Sequence, residues 1–510
     1  MKRWIAFLIS FSMCFLWGCS TQDEAYTPTG DGLFVEEQTI STEDTAPEVI
    51  EQDLVLVYYP ETTMNPYTCT DYTNRALFSL IYQSLFVVDS NYNVFPMLCR
   101  RYTVSEDMRT YNFYIDDATF SDGTKLTVED VFASLQHAMA TSFYKGRFQN
   151  VASIALNETG GIQFYLKTAY ENFPILLDIP IVKATEVEAD HPLGTGPYAL
   201  EQTNAGARLR RVSNWWSDAQ LLITASSIPL VVAESPTQIR DAFEFSNVGL
   251  VCANPGSDNY VDYRCDYELW DCENGGFLYI ACNMESDIFS KPKVRAALTY
   301  AIDRDAIVSK YYRNFAHSAT LPASPLSPYY NHQLAAQYTY DPDKFIQALS
   351  DNYLSGAPLR ILVNKNDTLR LRIAREIGKM MEACGLVVEV IELGGNDYYY
   401  YLGIKEFDIY VGQTRLSANM DLSAFFAPNG ALRYGDITDA GIYAMCLETL
   451  ANKGNYINLY QMLCEDGRLC PVLFQTYSIH ATRGILTGLT PSRDNVFFYT
   501  LGKTMDDVKS

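Results

Sequence analysis

Few residue groups in this 510-residue chain are spaced to do bond-making chemistry. The five histidines (His137, His191, His317, His332 and His480) are far apart and show no metal-ligand pairing. There is no Gly-x-Ser-x-Gly elbow to expose a nucleophile and no His-Glu-x-x-His pair to hold zinc. Gly502-Lys503-Thr504 copies the end of a phosphate loop, but Phe497 stands where its first glycine would be, and no useful length of helix remains. Gly194-Thr195-Gly196 is a lone Gly-x-Gly that feeds Pro197-Tyr198 and a strand, so it marks close backbone approach rather than a phosphate cradle. Ten of the twelve cysteines lie beyond residue 60, and none is spaced Cys-x-x-Cys. They suit either disulfides outside a cell or buried free thiols, and sequence leaves that choice open. No catalytic residue, metal site or cofactor is expected, and what remains is the chemistry of recognition.

The start of the chain sets the compartment. Lys2 and Arg3 precede an apolar run over residues 5–17. At helical rise that run reaches about 20 Å, short of the roughly 30 Å hydrocarbon core, and so reads as a signal-peptide segment. It ends in Leu16-Trp17-Gly18-Cys19-Ser20, which resembles a bacterial lipobox. The resemblance implies removal of residues 1–18 and lipidation of Cys19. No Lys or Arg occurs between Arg3 and Arg75, and residues 19–50 are acidic and polar, as in a flexible tether. The net charge of −23 disfavours nucleic acid as a partner.

The remainder must supply the framework. With 48% apolar residues it is long enough for more than one core. Residues 54–59 are continuously apolar, as in a strand buried on both faces. Residues 74–88 carry apolar positions at helical spacing, whereas 111–115 alternate as a half-buried strand. Asp122-Gly123 makes a turn, and Thr127 caps a helix that begins with Glu129 and Asp130. Pro292 and Pro342 open further helices. A strand over 359–363, a helix over 368–384 ending at Gly385, and a strand over 386–391 give an α/β rhythm. Four consecutive tyrosines, Tyr398 to Tyr401, cannot share one helix face. Some must pack and others lie exposed, with a stacking platform as the alternative.

Several of these segments together resemble the family 5 extracellular solute-binding proteins of ABC importers. They are Thr63 to Tyr67, Ser105 to Phe113, Phe120 to Val131, Gly194 to Tyr198, and Val294 to Arg304, in the family's order and over nearly the whole mature chain. The resemblance implies an α/β, two-lobed periplasmic-binding-protein-like fold of type II, with mixed sheets flanked by helices and the ligand cleft between lobes. Lobe 1 would be 51–275 completed by 472–510, and lobe 2 would be 276–471. It also implies a monomer on the extracellular face of the membrane or in the periplasm. That monomer would hold a small ligand, an oligopeptide foremost, and pass it to permease subunits. A chelated metal, a sugar, or a sensor role are the alternatives within the fold; a secreted hydrolase is the alternative of another class.

A peptide carries an ammonium and a carboxylate, and enclosing either without a partner costs several kcal/mol. Peptide-binding relatives place an aspartate ahead of an aromatic pair, and Asp421 stands so before Phe425-Phe426, with Leu422 where the relatives have proline. Asp421 is therefore the expected ammonium partner, the competing role being a helix cap. Arg415 and Arg433 are the expected carboxylate partners, and Thr63 and Asn65 are expected to face the cleft.

Overall fold

The computed structural model describes residues 54–203, 206–256 and 263–510. The expected signal peptide, Cys19 and the tether lie outside the described residues. The architecture is mixed α/β, with sheets flanked by helices.

The largest sheet is organised by two long antiparallel strands, Tyr267–Cys282 and Leu469–Thr482. Their outer halves pair Tyr267–Glu273 with Thr476–Thr482. The register then breaks between Glu273 and Phe277, where Gly275 has φ +77°. The positive φ favours glycine there, and a Cβ would sit 1.9 Å from Nη2 of Arg493, so that guanidinium would have to shift. Beyond the break, Phe277–Ala281 pairs with Leu469–Phe474 and also with strand Ile409–Arg415. That strand leads into parallel pairing with Pro358–Asn364 and Val387–Leu393. Leu278, Ile280 and Cys282 face a core shared with Ile373, Ile377 and Met381 of helix Thr368–Ala383. Gly385 follows that helix at φ +90°, the left-handed stop expected of it. The lobe limits expected at 275/276 and 471/472 fall within the two long strands, the first at the register break.

Among the described residues a two-stranded sheet, Phe86–Val88 with Val94–Pro96, and two four-stranded sheets precede these strands. Leu56–Tyr58 runs parallel to Ser227–Val232 at the edge of one four-stranded sheet, and Cys99–Val104, Thr110–Ile115, Ile162–Leu166 and Val151–Leu156 form the other. Helix Val128–Ala140 opens with a capping box. Thr127 N donates to Asp130 Oδ2 at 2.9 Å, and Asp130 N donates to Thr127 Oγ1 at 3.3 Å. Asp122 holds its turn by accepting from Thr124 N and pairs with Lys183 at 2.6 Å. Arg304 is buried and donates to the carbonyls of Ala319 and Pro471. These acidic and basic motif residues act as fasteners.

The helix expected over 74–88 is not one helix. Short turns Tyr72–Arg75 and Phe78–Ile81 give way to strand Phe86–Val88. The cause is tertiary. Gly196 N donates to Ile81 O at 2.9 Å, and a Cβ at Gly194 or Gly196 would lie 2.1–2.6 Å from that same carbonyl. The Gly194–Gly196 loop therefore docks on the carbonyl that a continuing helix would need. All ten described cysteines are unpaired thiols.

Candidate functional site

A cavity of about 1080 Å³ is walled by the 142–150 segment, the N-terminal turn of helix Thr368–Ala383, helix Gly395–Ile404, strand Ile409–Arg415 and the 421–434 loop. A smaller space of about 280 Å³ adjoins it, sharing Phe143, Arg370, Gln413, Thr414 and Arg415. Seven cationic side chains line the two: Arg75, Lys145, Arg147, Lys167, Arg370, Arg415 and Arg493. Among the described residues only Asp421 and Asp494 oppose them. In a chain of net charge −23 this is a strong local reversal of sign.

The arginines are not equivalent. Arg415 ends its strand with its charge already matched: Nη2 meets Asp494 Oδ1 at 2.5 Å and Nε donates to Asn274 O at 2.9 Å. Asp494 also takes Arg147 Nη2 at 2.9 Å. Burial alone would push the Asp494 carboxyl up, but Arg415 and Arg147 win and hold it well below the usual range. Beside it, burial and the Asp494 charge push the Asp178 carboxyl up to about 7. Asp178 accepts from Val88 N at 3.2 Å and Asn495 Nδ2 at 3.1 Å.

Arg75 has no carboxylate partner among the described residues, and Arg370 pairs with one that belongs to its own helix cap. Arg75 spends only Nη1, on the carbonyls of Cys69 and Pro66, and its guanidinium lies 3.9 Å from the Phe143 ring centroid. Arg370 folds back on its helix cap, with Nη2 2.9 Å from Asp367 Oδ2. Neither was singled out from sequence. Arg370 did leave a signal: a cation in the first turn of a helix opposes the helix dipole, so its presence there asks for another reason. Arg75 left none.

Asp421 lines the large cavity. Its Oδ1 accepts from Ser423 N at 2.8 Å and from Ser423 Oγ at 2.6 Å, so it does tie down the short helix Ser423–Phe426. Among the described residues Oδ2 takes no hydrogen bond, and burial pushes the carboxyl up from its ordinary value. The structure thus places Asp421 and Arg415 on one cavity. It puts Thr63 and Asn65 elsewhere, with Thr63 Oγ1 donating to Asp190 O at 3.2 Å and Asn65 Nδ2 to the carbonyls of Val187 and Ala189. Both fasten one loop to another, a task their motif could not distinguish from ligand contact. Arg433 is exposed and bonded to Pro428 O. The tyrosine run divides as its helix requires. Tyr398 is buried and Tyr399 exposed, both on the cavity wall with Tyr279, Tyr410, Tyr434 and Tyr443, while Tyr400 and Tyr401 lie off it.

This geometry can surround an elongated polar molecule with aromatic faces, offer it arginine hydrogen bonds and accept from it at one carboxylate. Among the described residues no cluster of three metal-ligating side chains occurs.

A profile of the family described as "Bacterial extracellular solute-binding proteins, family 5 Middle" matches residues 93–432. The glutathione-binding protein GsiB of Salmonella typhi is 23% identical over 354 residues, covering 64% of this chain and 67% of its own. In shape, the nickel ABC transporter protein of Bacillus halodurans superposes with a TM-score of 0.68 at 19% identity, over 88% of this chain and 98% of that one. The oligopeptide-binding protein AppA of Bacillus subtilis, solved with a nonapeptide, gives 0.61 at 19% identity, over 89% and 98%. The fold is that of the type II periplasmic binding proteins.

Proposed function

The chain belongs to the family 5 bacterial extracellular solute-binding proteins, and on that basis we propose that its own cargo is a short peptide. The family hands small ligands to ABC importers, and catalysis is not its task. The observation that carries the peptide reading is the charge pattern of the cavity. Arg75 has Nε and Nη2 and Arg370 has Nη1 left to meet a carboxylate, Asp421 has an oxygen left to meet an ammonium, and tyrosines line the space between. In this reading Arg415 holds the frame through Asp494 and leaves the ligand carboxylate to Arg370.

Capture would work by closure of two lobes, 51–275 with 472–510 against 276–471, about the long strands. Closure requires that the ligand bind the closed form better than the open one. The permease subunits would meet the closed form, with the protein a monomer held at the membrane by lipid on Cys19. A second reading rests on the same excess of cations: an anionic metal chelate would also suit Arg75 and Arg370.

Native mass spectrometry of the gently purified full chain, then of the chain with a library of two- to eight-residue peptides, tests this. A retained peptide mass that is lost in Asp421→Ala supports the reading. Retention of a metal chelate with no peptide bound at any length overturns it.

A further inference from the structure

The smaller space of about 280 Å³ is one-sided in its hydrogen bonding. Four arginines line it, Arg75, Arg370, Arg415 and Arg493, against the single carboxylate of Asp494. Both oxygens of that carboxylate are taken, Oδ1 by Arg415 and Oδ2 by Arg147. The side-chain oxygens of Asn274 and Gln475 are engaged too, accepting from Gly276 N at 2.7 Å and from Gln413 Nε2 at 3.1 Å. Donors, by contrast, are open. Arg75 spends only Nη1, on two carbonyls, and keeps Nε and Nη2. Tyr72 accepts from Asn274 Nδ2 at 2.8 Å, so its own hydroxyl proton is still to be given. Both side chains are only partly buried. The Phe143 ring, 3.9 Å from the Arg75 guanidinium, holds that group in place by its face and leaves its edge to bond.

A peptide with charges only at its two ends would leave Arg75 unanswered. Its ammonium goes to Asp421, and its terminal carboxylate goes to Arg370, which has spent Nε and Nη2 on Asp367 and has Nη1 to offer. Enclosing Arg75 without an anion would then be costly. Resting on the reading of the cargo as a short peptide, we propose that this peptide also carries an acidic side chain, whose carboxylate enters the smaller space. There it takes the Arg75 fork, Nε and Nη2, with the Tyr72 hydroxyl alongside. The cargo class is a peptide with one ammonium and two carboxylates. A carboxamide of the same shape would turn an N–H toward a wall of donors, and a basic side chain would face the guanidinium groups.

Isosteric peptides test this on the unaltered protein. Alanine peptides, of the shortest length that the two- to eight-residue library shows to bind, receive one glutamate at each position in turn, and each is compared by calorimetry with its glutamine counterpart. At one position or more, glutamate is expected to bind at least about tenfold tighter than glutamine. Arg75→Gln is expected to bring that ratio to within about twofold. The ratio is the readout, so a general loss of affinity through the Phe143 contact does not imitate the effect. A crystal of the complex should place the side-chain carboxylate on Arg75, whether or not the variant folds. Equal binding of glutamate and glutamine peptides at every position, a ratio that survives Arg75→Gln, or a side-chain carboxylate seated away from Arg75 would each overturn the inference and leave the peptide reading standing. Failure of every peptide in the library to bind would overturn both.

Discussion

Asp494 and Glu273 are both carboxylates buried beside arginines, and the fold treats them oppositely. Asp494 has two guanidinium groups in direct contact, at 2.5 and 2.9 Å, from segments far apart in the chain. Glu273 has a tyrosine hydroxyl on one oxygen and only a distant Arg493, 3.9 Å from the other. A buried charge that is fully matched is committed to the frame, since any ligand that took one of its partners would strand the rest. A buried charge left half matched still has bonding capacity to give. The same distinction sorts the arginines of the two adjoining spaces: Arg415 and Arg147 are matched by Asp494 and Arg370 by Asp367 on its own helix cap, while Arg75 meets only carbonyls and an aromatic face.

The contrast can be attacked first where it predicts most. Asp494→Asn leaves Arg147 and Arg415 buried without their counter-charge, and should lower the unfolding free energy by about 3–5 kcal/mol in urea titration. A loss under about 1 kcal/mol would mean the matched pair frames nothing. Asp178 comes next. An aspartate in an unfolded chain titrates near 4, whereas Asp178 in the fold titrates at about 7. Between those values the folded state holds a proton that the unfolded state has released. Its contribution to stability is therefore fully present below about pH 4 and is lost as pH rises through 7, by up to about 1.4 kcal/mol per unit. Asp178→Asn should flatten that part of the stability profile, and an unchanged slope would rule the group out as its source. Arg370→Ala should weaken peptide binding by about ten- to a hundredfold in calorimetry while moving stability by less than about 0.5 kcal/mol. A destabilised protein with unaltered affinity would transfer Arg370 to the frame. The smallest effect belongs to Glu273→Gln, expected within about 1 kcal/mol of the parent because no direct ion pair is broken. A loss as large as that of Asp494→Asn would erase the distinction between the two carboxylates.

Much of the frame could be read from sequence because it is fixed locally. The Thr127 cap, the Asp122 turn and the stop at Gly385 each depend on a few adjacent residues, and each stands where the residue types put it. The apolar run at 54–59 is a strand, shortened to Leu56–Tyr58. The failure at 74–88 came from a partner more than a hundred residues away: the 194–196 loop takes the Ile81 carbonyl, and periodicity carries no trace of that. The site was legible in the same measure. Asp421 and Arg415 reach the cavity, but Arg415 turns to Asp494, whose place beside it is decided by the chain's return after residue 482. Thr63 and Asn65 belong to a motif that reads the same whether it holds a loop or a ligand.

A cationic cavity inside an acidic protein has a kinetic consequence. An anionic ligand arriving from solution first meets the field of a body of net charge −23 and only later the arginines within. Salt screens the outer field over distances beyond a Debye length, about 8 Å at physiological ionic strength, and screens the enclosed arginines much less. Added salt should then quicken the arrival of an anion, the reverse of ordinary electrostatic steering, while its escape rate changes little. For such a ligand the protein would be a better scavenger in brine than in fresh water.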